Sequence, residues 1–251
     1  MTLVRRNHGT GHSYYADGVK LPGVTRITGM APKDALIGWA ADTTASYAVD
    51  YWAELAKLRP SERLKRLQRA RFEDRDTAAR RGTQVHTLAE ALAAGRQVKV
   101  PDHLAGHVDS YVKWLDRFQP EPMALELVVC NRAVGYCGTL DAVMILLGQT
   151  WLLELKTSRS GIFRESALQA TGYARAETFT TGKDGDEHPL ADLGIERCGS
   201  VHITGTEAVL RPLDSGEATW DYFRHLAALY HADEESQSWI GDIVDPPLAE
   251  S

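Results

Sequence analysis

Three apolar runs, residues 123–130, 134–147 and 150–157, follow one another with only Asn131-Arg132 and Gly148-Gln149 between them. Short apolar segments broken at such turn-prone positions read as an antiparallel meander. Everything before it is punctuated differently. Asp17-Gly18 within 13–22 marks a hairpin, and Pro22-Gly23-Val24-Thr25-Arg26-Ile27 enters a helical region. From Lys33 to about Gly95 the chain is rich in Ala, Leu, Arg and Glu, with Trp39, Tyr47, Tyr51, Leu55 and Leu58 marking apolar helix faces. Pro60-Ser61 breaks that stretch, Ser61 serving as N-cap of a basic helix. A further helix is expected from about Asp76 to Ala94, ending at Gly95, and another over 102–118, closed by Pro120. Beyond the meander the reading is a helix over 164–179, strands at 198–204 and 206–212, and a closing helix over 215–238. That last helix buries Trp220, Phe223, Leu226 and Leu229. Segment 180–195, rich in Gly and charge, reads as a mobile loop. The pattern predicts a mixed α/β fold of the α+β type, a central mixed sheet flanked by helices. With no linker and no repeat, 1–251 is one domain: a hairpin and helical part over 1–120 and a sheet core over 121–251.

Acidic residues within the apolar runs need partners, because an ionised group buried alone is costly. Asp141 lies in the second run, and Glu154 and Lys156 in the third, after twelve intervening residues. That spacing places two carboxylates and an amine on adjacent strand ends, facing one another, a metal or solvent at the sheet edge. Hard divalent cations such as Mg²⁺ prefer carboxylates, and a lysine one side-chain period from the second can position a water for attack on phosphorus. Taken alone, Glu154 and Lys156 read equally as an ordinary ion pair on an exposed strand face. Three features add weight to the chemical reading. His86 and Glu90, in Arg81-Gly82-Thr83-Gln84-Val85-His86-Thr87-Leu88-Ala89-Glu90, share a helix face and could add ligands. Gln169 and Tyr173 share another and could hold a sugar-phosphate backbone. Glu126 sits in the strand before Gly138-Thr139-Leu140-Asp141, and reads also as a strand-edge carboxylate facing water.

The net charge of −6 conceals an uneven distribution: residues 1–100 hold 17 Lys/Arg and 10 Asp/Glu (+7), and residues 101–251 hold 11 and 24 (−13). Within 57–81 stand Lys57, Arg59, Arg63, Lys65, Arg66, Arg69, Arg71, Arg75, Arg80 and Arg81, against Glu62, Glu73, Asp74 and Asp76. Such a stripe tracks phosphates or is a solvated helix face. Cys130, Cys137 and Cys198 lack CxxC spacing and read as buried free thiols. No run approaches the roughly 18 apolar residues of a membrane span, so no membrane partner and a cytoplasmic location are the expectations.

Taken in order, RGTxxHxxxE, an acidic strand, GxxD, ExK and QxxxY resemble the PD-(D/E)XK nuclease superfamily, and within it the RecB-like, phage-type exonuclease branch. The likeness covers about residues 80–175. Val24-Thr25-Arg26-Ile27 is similar to a stretch that phage-encoded members carry near their start. Leu140 replaces the proline of the superfamily's name, as the GxxD form of that branch allows. The resemblance implies a restriction-endonuclease-like core and an enzyme hydrolysing phosphodiester bonds from the ends of linear DNA to leave 5′-phosphates. It implies one or two Mg²⁺ or Mn²⁺ ions held by Asp141, Glu154, the Leu155 carbonyl and His86, with Lys156 orienting the attacking water. Glu90 and Glu126 would support from behind, and Gln169, Tyr173, Arg81, Arg63, Arg66, Arg159 and Arg164 would hold DNA. An iron-sulfur cluster, carried by relatives with four cysteines, is not expected from three. A single-strand annealing protein is the implied partner, and a homo-oligomer stays open. The rival readings are a structure-specific or flap endonuclease of the same fold and a catalytically silent DNA-binding or assembly module.

Overall fold

The structure, a computed structural model, describes residues 2–9, 11–158, 161–181, 185–236 and 238–242. Strands β1 (Leu3–His8), β2 (Gly11–Ala16) and β3 (Val19–Leu21) form a small antiparallel sheet. Asp17 and Gly18, both at positive φ, turn β2 into β3 at the expected hairpin, with β1 added outside it. Helix α1 (Val24–Thr28) leads to α2 (Asp34–Asp50), a single turn α3 (Trp52–Leu55) and α4 (Pro60–Ala93).

The two helices expected over 61–94 are one. Between Ser61 and Arg81 there is neither Gly nor Pro, so nothing stops the helix at Asp76. Thirty-four residues at about 1.5 Å each make α4 about 50 Å long. Its cap is Arg59 and not Ser61: Pro60 occupies the first helical position, where its missing N–H costs nothing, and the Glu62 carboxylate accepts the Arg59 N–H at 3.3 Å.

Helix α5 (Ala105–Phe118) ends at Gln119, whose φ of 45° terminates it. The meander follows as expected: β4 (Glu121–Asn131), β5 (Tyr136–Leu146) and β6 (Gln149–Lys156). Helix α6 (Arg164–Ala174) crosses to β7 (Thr178–Thr180) and β8 (Glu187–Pro189), then come β9 (Arg197–Ile203), β10 (Ala208–Leu213) and α7 (Glu217–Ser236). The seven-stranded sheet has the order β10-β9-β6-β5-β4-β7-β8, with β6 and β9 parallel and the other neighbours antiparallel. A mixed sheet flanked by helices is thus the fold. Helix α6 stops at Ala174, short of the expected end at 179, and β7 takes the last part of that span. Strand β8 replaces part of the expected loop, because Arg132 holds Glu187 with two hydrogen bonds of 2.8 and 2.9 Å. Residues 182–184 of that segment lie outside the described residues.

One sheet face packs on α1, α6 and α7 through Val24, Leu168, Tyr173 and Phe223. Leu229, expected inside, is exposed on the outer side of α7. The other face is shared between α4 and α5, through Val85, Tyr111 and Trp114, and the N-terminal sheet, through Leu3 and Tyr14 over Val128, Cys130 and Cys137. All three cysteines are buried free thiols.

Alternation along the central strands breaks at one level. Leu127 and Leu140 face α1, α6 and α7, but Leu125 and Ala142, two residues away, face α4 and α5. A strand with period two would put both members of each pair on one side. Glu126, at φ 52°, and Asp141 opposite it stand where the sides exchange. A left-handed non-glycine residue costs about 1–3 kcal/mol and persists only where its surroundings enforce it.

Candidate active site

Strands β5 and β6 part at the same level. Their last pair is Ala142 with Leu153. Beyond it the Leu155 N–H donates to Asp141 Oδ2 at 2.7 Å, in place of a backbone carbonyl of β5. The edge of β5 so released is met by Pro22 and Gly23: Cys137 N–H donates to the Pro22 carbonyl at 3.0 Å. Asp141 and Glu154 therefore lie in the middle of the sheet and not at its rim, as the sequence suggested, and the fork between the strands is what opens the site.

Glu154 and Lys156 project toward α6, one period apart. Lys156 Nζ donates to Glu154 Oε2 at 3.1 Å and to Gln169 Oε1 at 2.8 Å, and Gln169 Nε2 donates to the Tyr173 hydroxyl at 3.0 Å. The Tyr173 ring lies over Gly138, where any Cβ would overlap it, with Val24 close by on the same glycine. The QxxxY, GxxD and ExK motifs are thus one packed unit. Helix α4 reaches the fork from the other face. A Cβ on Gly82 would stand 3.2 Å from Thr157 Oγ1, so this glycine lets the helix run close past the end of β6. One turn on, His86 Nδ1 stands 3.7 Å from Asp141 Oδ1, within ion-pair range.

Burial sets the electrostatics. Glu154 is 1% exposed, and its carboxyl is pushed up to about 8, by burial first and the Asp141 charge second, against the pull of Lys156. Its Oε1 has no hydrogen-bond partner among the described residues. For His86, burial opposes the charged form, but attraction to Asp141 outweighs it and the net shift is upward. Burial, then Asp141, raises the Glu126 carboxyl, with Arg5 opposing at 3.6 Å. A cleft of ≈ 10 Å³, lined by His86, Glu90, Tyr111, Glu126, Asp141 and Leu155, adjoins Asp141. It has room for about one water-sized occupant. The side chains of His86, Lys156 and Asp141 connect the site to solvent, and Glu154 lies beneath them.

Not every residue singled out from the sequence takes part as expected. Tyr173 is buried with its hydroxyl on Gln169, so it supports Gln169 and does not reach a strand. Glu90 lines the cleft but pairs with Arg96 at 2.9 Å. Arg63 is spent on the carbonyls of Leu55, Ala56 and Leu58, closing the end of α3. Arg66 is exposed and bonds the Tyr47 hydroxyl; it stands 20 residues before His86 on the same helix, about 30 Å away. Arg164 caps nothing in the site and donates to the Pro32 carbonyl. Arg81, half-buried beside His107, has an unpartnered Nε among the described residues. Arg159 lies outside the described residues. The sequence reading missed the wall formed by the N-terminal sheet, where the Tyr14 hydroxyl bonds Thr139 Oγ1 and His12 Nε2, each at 2.9 Å. Thr139 could have been found inside GxxD; Tyr14, Arg5 and Tyr111 belong to no local pattern.

As placed, Lys156 occupies one oxygen of Glu154, and among the described residues no three His, Cys, Asp or Glu side chains are grouped to hold one metal ion. Two carboxylates, one with an orphaned buried oxygen, still suit a hard divalent cation, and the imidazole beside them is a donor of the kind softer divalent metals take. No family model matches the chain, and no curated protein matches it. Among the described residues no helix is long and apolar enough to cross a membrane.

Proposed function

We propose that the chain is a metal-dependent deoxyribonuclease of the PD-(D/E)XK superfamily, RecB-like branch. It hydrolyses phosphodiester bonds from the ends of linear DNA and leaves 5′-phosphates, in the cytoplasm, in phage or bacterial recombination or repair. One observation carries the reading: Asp141, Glu154, Lys156 and His86 converge from two strands and a helix on the fork between β5 and β6. A divalent cation bound by Asp141, Glu154 and His86, with the Leu155 carbonyl, would supply Lewis acidity toward the phosphodiester. The chain's own groups do the rest. Gln169 fixes the Lys156 ammonium, which holds the attacking water and offsets charge developing on the non-bridging phosphoryl oxygens. The water oxygen bonds to phosphorus as the bond to the 3′-oxygen breaks; the water gives up one proton to solvent and the 3′-oxygen takes one from solvent, leaving a 3′-hydroxyl and a 5′-phosphate. Glu126 and Arg5 shape the wall behind Asp141.

The experiment is digestion of linear duplexes labelled at one end or the other, with Mg²⁺, Mn²⁺ or chelator, beside covalently closed circles. Cation-dependent loss of label from ends, with circles untouched, is expected. Cut circles would move the reading to an endonuclease of the same fold. No cleavage with either cation would remove the hydrolase reading.

A further inference from the structure

The arm built from α2, α3 and the first half of α4 stands apart in character from the rest of the molecule. Among its described large apolar side chains only Leu55 is buried, whereas Leu36, Ile37, Val49 and Leu64 and the aromatic Trp39, Tyr51, Trp52 and Phe72 are all exposed, the aromatics by 37–54%. Cations are interleaved with these rings. The Arg63 guanidinium, with its donors on backbone carbonyls, lies 5.4 Å from the Trp52 ring centre, and those of Arg71 and of Arg75, which also pairs with Asp76 at 2.8 Å, lie 4.6 and 5.0 Å from that of Phe72. Tyr47 and Tyr51 rings are 4.7 Å apart, and Arg66 bonds the Tyr47 hydroxyl. Lys65 and Arg69 are exposed between them.

We propose that this arm is a binding platform for single-stranded DNA, separate from the catalytic fork. Alternating exposed rings and guanidinium groups match a strand whose bases are free to stack and whose phosphates need cations. A duplex hides its base faces and would leave the aromatics unused. The charge fits as well: 57–81 holds ten Lys/Arg against four Asp/Glu in a chain of net −6. From Arg63 to Arg75 is about 18 Å of helix and from Arg75 to His86 about 17 Å. One strand touching both ends therefore covers about 35 Å of helix. The proposal rests on the nuclease reading for the identity of the strand at the fork, but binding in chelator tests it without cleavage.

The test is fluorescence anisotropy of labelled oligo-dT 20-mer, oligo-dT 6-mer and a 20-base-pair duplex, with chelator, across a salt series. The expected result is 20-mer affinity at least about tenfold above both the 6-mer and the duplex. A Tyr51→Ala/Trp52→Ala/Phe72→Ala variant should lose most of that advantage, since each stacked base contributes enough for about a tenfold effect. If that variant fails to fold by circular dichroism, Arg69→Glu/Arg71→Glu serves in its place. It should make the slope of log affinity against log salt shallower by about 1.4. Equal affinity for 20-mer and duplex, or folded variants that bind the 20-mer like the parent, would overturn the proposal. So would a dimer by light scattering that the aromatic variant dissolves without any change in 20-mer binding, which would make the patch a contact between copies. Binding of the 20-mer without cleavage in Mn²⁺ would leave the platform standing and remove the hydrolase reading.

Discussion

Replacing Glu154 by Gln isolates the buried carboxyl at the fork. In the fold its carboxyl is raised from 4.5 to about 8, chiefly by burial and then by Asp141. The sign follows from linkage: stability associated with the retained proton is fully present below about 4.5 and is lost as pH rises through about 8. Between pH 5 and 8 the unfolded chain has released a proton that the fold still holds, which costs about 1.4 kcal/mol per pH unit, or at most about 4 kcal/mol over the interval. Glutamine carries no such proton, so the variant escapes this loss. Its charge attraction to Lys156 belongs only to the ionised form and is already contained in that shift, and the other titrating groups are common to both proteins. The difference in Tm between Glu154→Gln and the parent should therefore grow in favour of the variant from pH 5 to pH 8. At roughly 2–4 °C per kcal/mol for a chain of this size, the change should be several degrees and at most about 16 °C. Differential scanning calorimetry in chelator at four pH values measures it. A difference that stays flat within about 2 °C, or that grows in favour of the parent, refutes the argument that Glu154 is held as a buried, charge-averse carboxyl.

Three further expectations concern the same network. Lys156→Ala should lower kcat by about 10²–10⁴-fold while DNA affinity, measured in chelator, stays within a few-fold; unchanged turnover would show that Lys156 only pairs with Glu154. Gly138→Ala places a methyl into the Tyr173 ring and should destabilise by about 1–3 kcal/mol in urea. It should also slow cleavage through displacement of Gln169 and Lys156, so full activity in that variant would break the proposed linkage of the motifs. Arg63→Ala removes the donor to three carbonyls at the end of α3 and should cost about 1 kcal/mol or more by thermal denaturation. No loss of stability would mean these carbonyls are satisfied by solvent.

Local pattern made much of this legible. The meander, the hairpin at Asp17-Gly18, the closing helix with Phe223 and Leu226 inside, and the pairing of Glu154 with Lys156 all depend on residues a few positions apart. Periodicity and turn chemistry act at that range. The errors have equally local causes. Asp76 looks like a helix start, but without a Pro or Gly nearby α4 runs through it, and three-residue strands such as β7 and β8 have too little period to be read.

By itself the sequence determined which side chains could carry chemistry and on which strands and helices they lie, because backbone periodicity is written in the order of residues. Only the tertiary structure decided that the acidic pair sits inside the sheet, that β5 and β6 part there, and that Gly82 and Gly138 admit α4 and Tyr173 so closely. It also decided that Tyr14 and Arg5 close the wall beside Thr139 and Glu126. Those outcomes depend on burial and on contacts between residues from tens to more than a hundred positions apart, whose free energy exists only once the layers have packed.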